Sequence, residues 1–417
     1  STNPRWLSRR QPMGTGMKQR VAITGMGVVS PIGNTVADFR DNLLAGVSGI
    51  GPITCFDPAD LPTRIAGEVK WDGPILRDRK VTFALEAARQ CMEDAGALFA
   101  GGGLSLGIGL ELFSLDDMAA FRVNEQLPKS AEERMTFLQT PSDLTAHLIS
   151  HRWKLTTPPM TQVSACAAGA DALGAAHRLI ARGERRWMLA GGSDSMVNPM
   201  GVGGFCKLTA LSCRNDEPQK ASRPFDRQRD GFVLGEGAAM LLLENWDDAQ
   251  ERGAVIHGEM IGSGNSFDAH GISEPHPEGR GACQAMRRAL ADAGLEPEQV
   301  DTINAHGTST PKNDPVETAA IKTVLGEHAR RIPISATKSM TGHLISAAGA
   351  LEAVATVLCL QAGQAHPTLN LNDPDPECDL DYVPHQARPM DAQVALSNAF
   401  GFGGQNSSFI IRKNPGP

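Results

Sequence analysis

Ala285-Met286-Arg287-Arg288-Ala289-Leu290-Ala291-Asp292-Ala293-Gly294 echoes Ala87-Ala88-Arg89-Gln90-Cys91-Met92-Glu93-Asp94-Ala95-Gly96, with the same residue at five of ten places. Each copy ends a helix at glycine and leads toward a strand. An echo of this kind predicts two similar halves, 17–264 and 265–417, stacked about a pseudo-twofold axis. Chance similarity between two Ala-rich helices is the alternative. No Pro-rich or Ser-rich linker separates the halves, so one compact unit is expected.

Working outward, short apolar strands (Thr161 to Ser164, Trp187 to Ala190, Ala238 to Leu243) alternate with helical stretches such as Ala170 to Ala181, the pattern of an α/β layered fold. An apolar, Gly-punctuated run at Val21 to Val29 reads as a buried strand, and residues 1–16, polar and rich in Pro, Gly and Arg, as an extension preceding the fold. The Ala-rich stretch from Ile345 to Leu360 is expected to fill the interior.

Composition narrows the function. With 417 residues, 41% of them hydrophobic, the chain can bury a large core, and its net charge of -8 argues against a general role on nucleic acid or anionic membrane. No apolar run reaches the roughly 20 residues of a membrane span, and a soluble, cytoplasmic protein is expected. Eight scattered cysteines form no CxxC pair, so neither disulfides nor a metal site is expected, and most should be small core residues.

Cys166 is set apart by its context. In Val163-Ser164-Ala165-Cys166-Ala167-Ala168-Gly169 a β-rich run turns into an Ala-rich helical one. A thiol at such an elbow faces a helix N-terminus, where the dipole should lower its pKa and make it a nucleophile. His306, in Asn304-Ala305-His306-Gly307-Thr308-Ser309-Thr310, follows the apolar stretch Val300 to Ile303. His343, in the predicted loop Lys338-Ser339-Met340-Thr341-Gly342-His343, follows Ile332 to Ser335. Two histidines at equivalent strand ends, in loops of small hydroxyl residues, read as a site rather than as core. Ser397 to Gly404 adds a Gly-rich loop whose N–H groups could form an oxyanion hole, and no Walker lysine follows it. Gly25-x-Gly27 lacks the rest of a dinucleotide fingerprint.

These residues resemble the β-ketoacyl-acyl carrier protein synthases of type II fatty acid synthesis, closest to their synthase II group. VSACAAG, RPFDRQRDGFVLGEGA, NAHGTSTPKND, TKSMTGHL and NAFGFGGQN occur in the family's order between Lys18 and Lys413. The resemblance implies a thiolase-like α-β-α-β-α fold and a homodimer. It also implies acyl carrier protein as partner, no cofactor, and a Cys-His-His triad at Cys166, His306 and His343. Lys338 and Glu352 match positions that support the site, and Phe402 matches a gate. Thr308 and Thr310 match contacts to the phosphopantetheine arm, Ile108 and Phe205 the acyl pocket, and Phe400 and Glu352 are placed with the substrate-facing residues. Gly109-Leu110-Glu111-Leu112 and Gly271-Ile272-Ser273 depart from the family pattern, as does the lack of an Arg after Phe205-Cys206-Lys207-Leu208-Thr209, leaving Lys207 and Arg214 as basic substitutes for carrier docking. A ketosynthase of a polyketide or other specialised pathway is the nearest alternative. A thiolase would need a second cysteine in the C-terminal loop, and a silent partner subunit would lack the nucleophile.

Overall fold

The computed structural model describes residues 18–76, 78–110 and 141–414; the expected extension 1–16 and the Glu111-Leu112 departure lie outside them. The first five strands of the ten-stranded sheet are β1 (Val21–Val29), β2 (Gly103–Ile108), β3 (Met160–Gln162), β4 (Trp187–Ser195) and β5 (Glu236–Asn245). They pair in the order β1-β5-β4-β2-β3. The other five of that sheet are β6 (Gly258–Phe267), β7 (Thr302–Asn304), β8 (Ile334–Ser335), β9 (Val394–Gly401) and β10 (Gln405–Lys413), and they pair as β6-β10-β9-β7-β8. Both series run antiparallel, antiparallel, parallel, parallel. The two half-sheets join where Val21–Ile23 lies antiparallel to Gly258–Met260.

The helices repeat the same symmetry. Helix α1 (Arg79–Ala95) packs on β1 and β5, with α2 (Leu144–Arg152) beside it. After α3 (Ala168–Ala181) in chain order, α4 (Arg280–Ala293) packs on β6 and β10, with α5 (Asn313–Leu325) beside it. Between the half-sheets lie α3 and α6 (Ala348–Ala362), each touching strands of both halves and each other. The result is five layers, helix-sheet-helix-sheet-helix. The boundary drawn at 264/265 falls inside β6, a strand that belongs wholly to the second half-sheet.

The echoed decapeptides close these outer layers. Asp94 Oδ2 accepts the backbone N–H of Met26 on β1 at 2.9 Å, and Asp292 Oδ2 accepts that of Ser263 on β6 at 2.9 Å. A Cβ on Gly27 would lie 1.9 Å from Ala87 O, and one on Gly264 would lie 2.3 Å from Ala285 O. Each helix therefore rests directly on a strand backbone, through alanines on one side and glycine on the other. That close approach explains both the repeated small residues and the early Gly25-x-Gly27.

The central helix is apolar on every side because sheets cover it on two faces. Ile345–Ala362 has the length and mean hydropathy, 1.6, of a short membrane span, and 89% of it is buried within the protein. Val21–Val29 matches the expected strand at both ends, and the ends of the other strands differ from expectation by up to five residues. Trp187–Ser195 and Glu236–Asn245 run longer because the whole of the first pairs with residues 236–244 of the second. Of the cysteines, Cys91, Cys283, Cys359 and Cys378 are buried as expected, whereas Cys55 and Cys213 are exposed.

Candidate active site

The nucleophile candidate sits at a strained turn. After β3, Ala165 takes φ 49, which costs a residue with a Cβ about 1 kcal/mol or more. A single 3₁₀ turn, Ala165–Ala167, then leads into α3. The same device opens α6, where Ile345 takes φ 45 ahead of the turn Ile345–Ala347. His343 lies two residues before that turn. The segment carrying it is not the loop expected from sequence, because Lys338–Thr341 forms one helical turn, buried throughout. His343 therefore lies eight residues beyond β8 rather than at its end.

Cys166, His306, His343, Thr308, Thr310, Phe400 and Phe402 line one cavity of about 250 Å³. The two imidazoles lie edge to face at 5.3 Å between ring centres, and Cys166 is 2% exposed. Their tautomers follow from their partners. Ile345 N–H donates to His343 Nδ1 at 3.1 Å, so the ring proton resides on Nε2, which has no hydrogen-bond partner among the described residues. Lys338 Nζ donates to His306 Nδ1 at 3.2 Å, which likewise puts the proton on Nε2. A backbone partner thus fixes His343 as expected, but a side chain fixes His306. Burial, with the Lys338 charge added, holds both imidazoles well below the usual histidine range, so both are neutral donors.

Lys338 is buried and spends its three N–H donors on His306 Nδ1, His306 O at 2.7 Å and Glu352 Oε1 at 2.5 Å. Burying such a pair costs several kcal/mol of desolvation per ion before attraction offsets it. Its place against His306 gives that cost a functional reason. Glu352 does not line the cavity, so its substrate-facing assignment is corrected: it acts on Lys338, and burial pushes its carboxyl up to about 7 against the lysine's pull.

Two further expected site residues, Ile108 and Phe205, do not line this cavity. Ile108 is fully buried in the apolar cluster that α1 forms with the first half-sheet. Phe205 stacks on Phe402 at 6.1 Å and packs edge-on to Phe232 at 5.5 Å, two rings that do line the cavity. Sequence reading missed Glu317, Asp194 and Phe232. Glu317 accepts the backbone N–H groups of His306 and Gly307, each at 2.8 Å, and so holds the histidine loop. Asp194 Oδ2 accepts Ser346 N–H at 3.0 Å where α6 begins, and burial pushes its carboxyl up to about 6. Phe232 packs its edge on His343 at 5.3 Å. An acid one helical stretch after NAHGTST was a usable signal for Glu317; the other two are set by tertiary packing.

The thiol also departs from expectation. Burial pushes Cys166 up to about 11, outweighing the N–H groups of Phe402 and of Cys166 itself, and the Lys338 charge, which all favour the thiolate. The resting sulfur is a thiol whose anion is pre-solvated by two N–H donors. Its alkylation by iodoacetamide should therefore accelerate steadily from about pH 8 to pH 11, because only the thiolate reacts. Lys338→Met removes a positive charge that favours the anion, so it should move the profile further to the alkaline side. A rate already level below about pH 7 would contradict this account.

Residues 18–249 match the β-ketoacyl synthase N-terminal domain and residues 257–372 its C-terminal domain. The chain belongs to the β-ketoacyl synthase family, condensing enzymes of the thiolase fold. It is 44% identical to 3-oxoacyl-[acyl-carrier-protein] synthase 2 of Coxiella burnetii, over 95% of this chain and 99% of that one. It is 45% identical to the Synechocystis protein of the same name, over 95% and 98%. Among solved structures, a β-ketoacyl synthase from Burkholderia phymatum superposes with a TM-score of 0.86 at 34% identity, covering 95% of this chain and all of that one. A type II polyketide ketosynthase bound to a hexaketide, in complex with its acyl-carrier protein, does so at 0.85 and 34% with the same coverage.

Proposed function

We propose that this chain is a 3-oxoacyl-acyl carrier protein synthase that elongates fatty acyl chains. The observation that carries the reading is the meeting of Cys166 with two Nε2–H imidazoles in one cavity. In the first half-reaction the sulfur adds to an acyl thioester carbonyl, and the N–H groups of Cys166 and Phe402 receive the oxyanion. The bond to the carrier sulfur breaks, the acyl group stays on Cys166, and the thiol proton ends on the departing phosphopantetheine.

In the second half-reaction malonyl carrier protein occupies the same cavity, its arm running past Thr308 and Thr310. Loss of carbon dioxide leaves an enolate whose oxygen lies between the two Nε2 donors. The enolate carbon attacks the acyl carbonyl, the Cys166–acyl bond breaks, and the sulfur takes a proton from solvent. The product is a 3-oxoacyl thioester two carbons longer. The greater identity to the synthase 2 relatives than to the polyketide neighbour favours fatty acid elongation over a specialised pathway.

The enzyme is further proposed to act as a cytoplasmic homodimer. Its acidic charge balance and the position of β3 at the edge of the sheet, with Val163 beside it exposed, support that reading. The test of function supplies acyl and malonyl carrier proteins of bacterial fatty acid synthesis and follows products by mass. A 3-oxoacyl carrier protein is expected; malonyl turnover with no condensation product would refute the reading.

A further inference from the structure

We propose that Asp171 is a positioning residue that aligns the two halves of the oxyanion hole, tying the Cys166 turn to the hairpin that carries Phe402. The inference rests on the condensing function above and extends it to a residue the reaction itself does not touch. Asp171 lies in the first turn of α3, five residues after the nucleophile. Its Oδ2 accepts the hydroxyl of Ser164 at 2.6 Å, on the near side of the strained Ala165. Its Oδ1 accepts Asn265 Nδ2 from β6, and Ser407 on β10 also hydrogen-bonds it. Asn265 is held in turn, donating to Ser407 Oγ at 3.2 Å and accepting from Arg178 at 3.2 Å.

The consequence lies in where these partners lead. Ser407 pairs across the hairpin with Ala399, two residues before Gly401 and three before Phe402. Gly401 in turn lies directly against the Cys166 turn, where a Cβ would stand 3.1 Å from Ser164 O and 3.2 Å from Cys166 N. One oxyanion donor therefore belongs to the first half of the chain and the other to the second. A single carboxylate bridges their supports on both sides. A donor pair works only when both N–H vectors meet at one oxygen, and a shift of about 1 Å is enough to cost about a hundredfold in rate.

The role is separable because the two half-reactions use different donors. Acyl transfer to Cys166 uses the N–H pair, whereas malonyl decarboxylation uses the His306 and His343 Nε2 groups. The experiment measures, on the full chain, the rate of Cys166 acylation from an acyl carrier protein and the rate of carbon dioxide release from malonyl carrier protein. Asp171→Ala is expected to slow acylation about ten- to a hundredfold while decarboxylation stays within about twofold. Ser164→Ala, a milder change, should show the same split with an unchanged melting temperature. Asp171→Asn, which keeps one acceptor, should recover most of the acylation rate.

Equal slowing of both half-reactions would overturn the inference, as general loosening of the site would produce it. So would an unchanged acylation rate in Asp171→Ala or Ser164→Ala. Failure of the wild-type protein to acylate at all would refute the functional reading and this inference with it, a result distinct from any pattern seen only in the variants.

Discussion

Cys166→Ala is expected to abolish acyl transfer and condensation together, a loss on the order of 10⁶-fold or down to background, the scale seen when a covalent nucleophile is removed. No described side chain of comparable reactivity lines the cavity in its place. The other buried cysteines sit in apolar clusters, and burial pushes Cys359 and Cys378 up to about 12, further from reactivity than Cys166. The fold has little to lose, because trimming one buried sulfur costs about 1 kcal/mol. Product formation by mass, beside a melting curve, separates the two effects: background activity with a near-native melting temperature is the expected pair. Decarboxylation of malonyl carrier protein should survive, since its donors are the histidines.

His343→Ala and His306→Ala should each slow carbon dioxide release by about 10²–10³, the cost of removing one preorganised donor to a developing oxyanion. The double variant should lose less than the product of the two, because both rings serve one oxygen. Acylation of Cys166 should be spared in comparison. The pH dependence carries a sign. Both pKa values are lowered by burial and by Lys338, so the donating neutral form persists as pH falls through the ordinary histidine range. Carbon dioxide release should accordingly show no acid limb between about pH 6 and 8. A limb centred near pH 6.5 would place a solvated imidazole at the site and contradict the geometry.

Much of this was legible in the sequence, and the reasons are particular. The echo at Ala87 and Ala285 reported a real duplication because helix and strand can touch only through small residues at matching places, Gly27 with Ala87 and Gly264 with Ala285. The shared Asp94 and Asp292 persist because each closes one strand N–H. Cys166 stood out where a β-rich run turns into an Ala-rich helix, and His306 and His343 because glycine, serine and threonine surround them.

What sequence could not supply was depth. Lys338 and Glu352 admit a surface lysine and a helix cap as readings, and only packing reveals a buried pair braced against His306. Local position alone suggested an acidic thiol at a helix start, but desolvation at Cys166 depends on side chains from distant segments, Phe232 and Phe402 among them. Ile108 and Phe205 matched a family pattern, but the cavity beside Cys166 is lined by neither: one is buried in a cluster with α1 and the other packs on Phe402.

The central claim is that Cys166 carries the acyl group in the presence of two neutral imidazoles. Intact-mass analysis of the protein after incubation with an acyl carrier protein, followed by peptide mapping, tests it most directly. A single acyl adduct is expected on the peptide containing Cys166, discharged when malonyl carrier protein is added. An adduct on any other residue, or an adduct at Cys166 that malonyl carrier protein leaves in place, would contradict it.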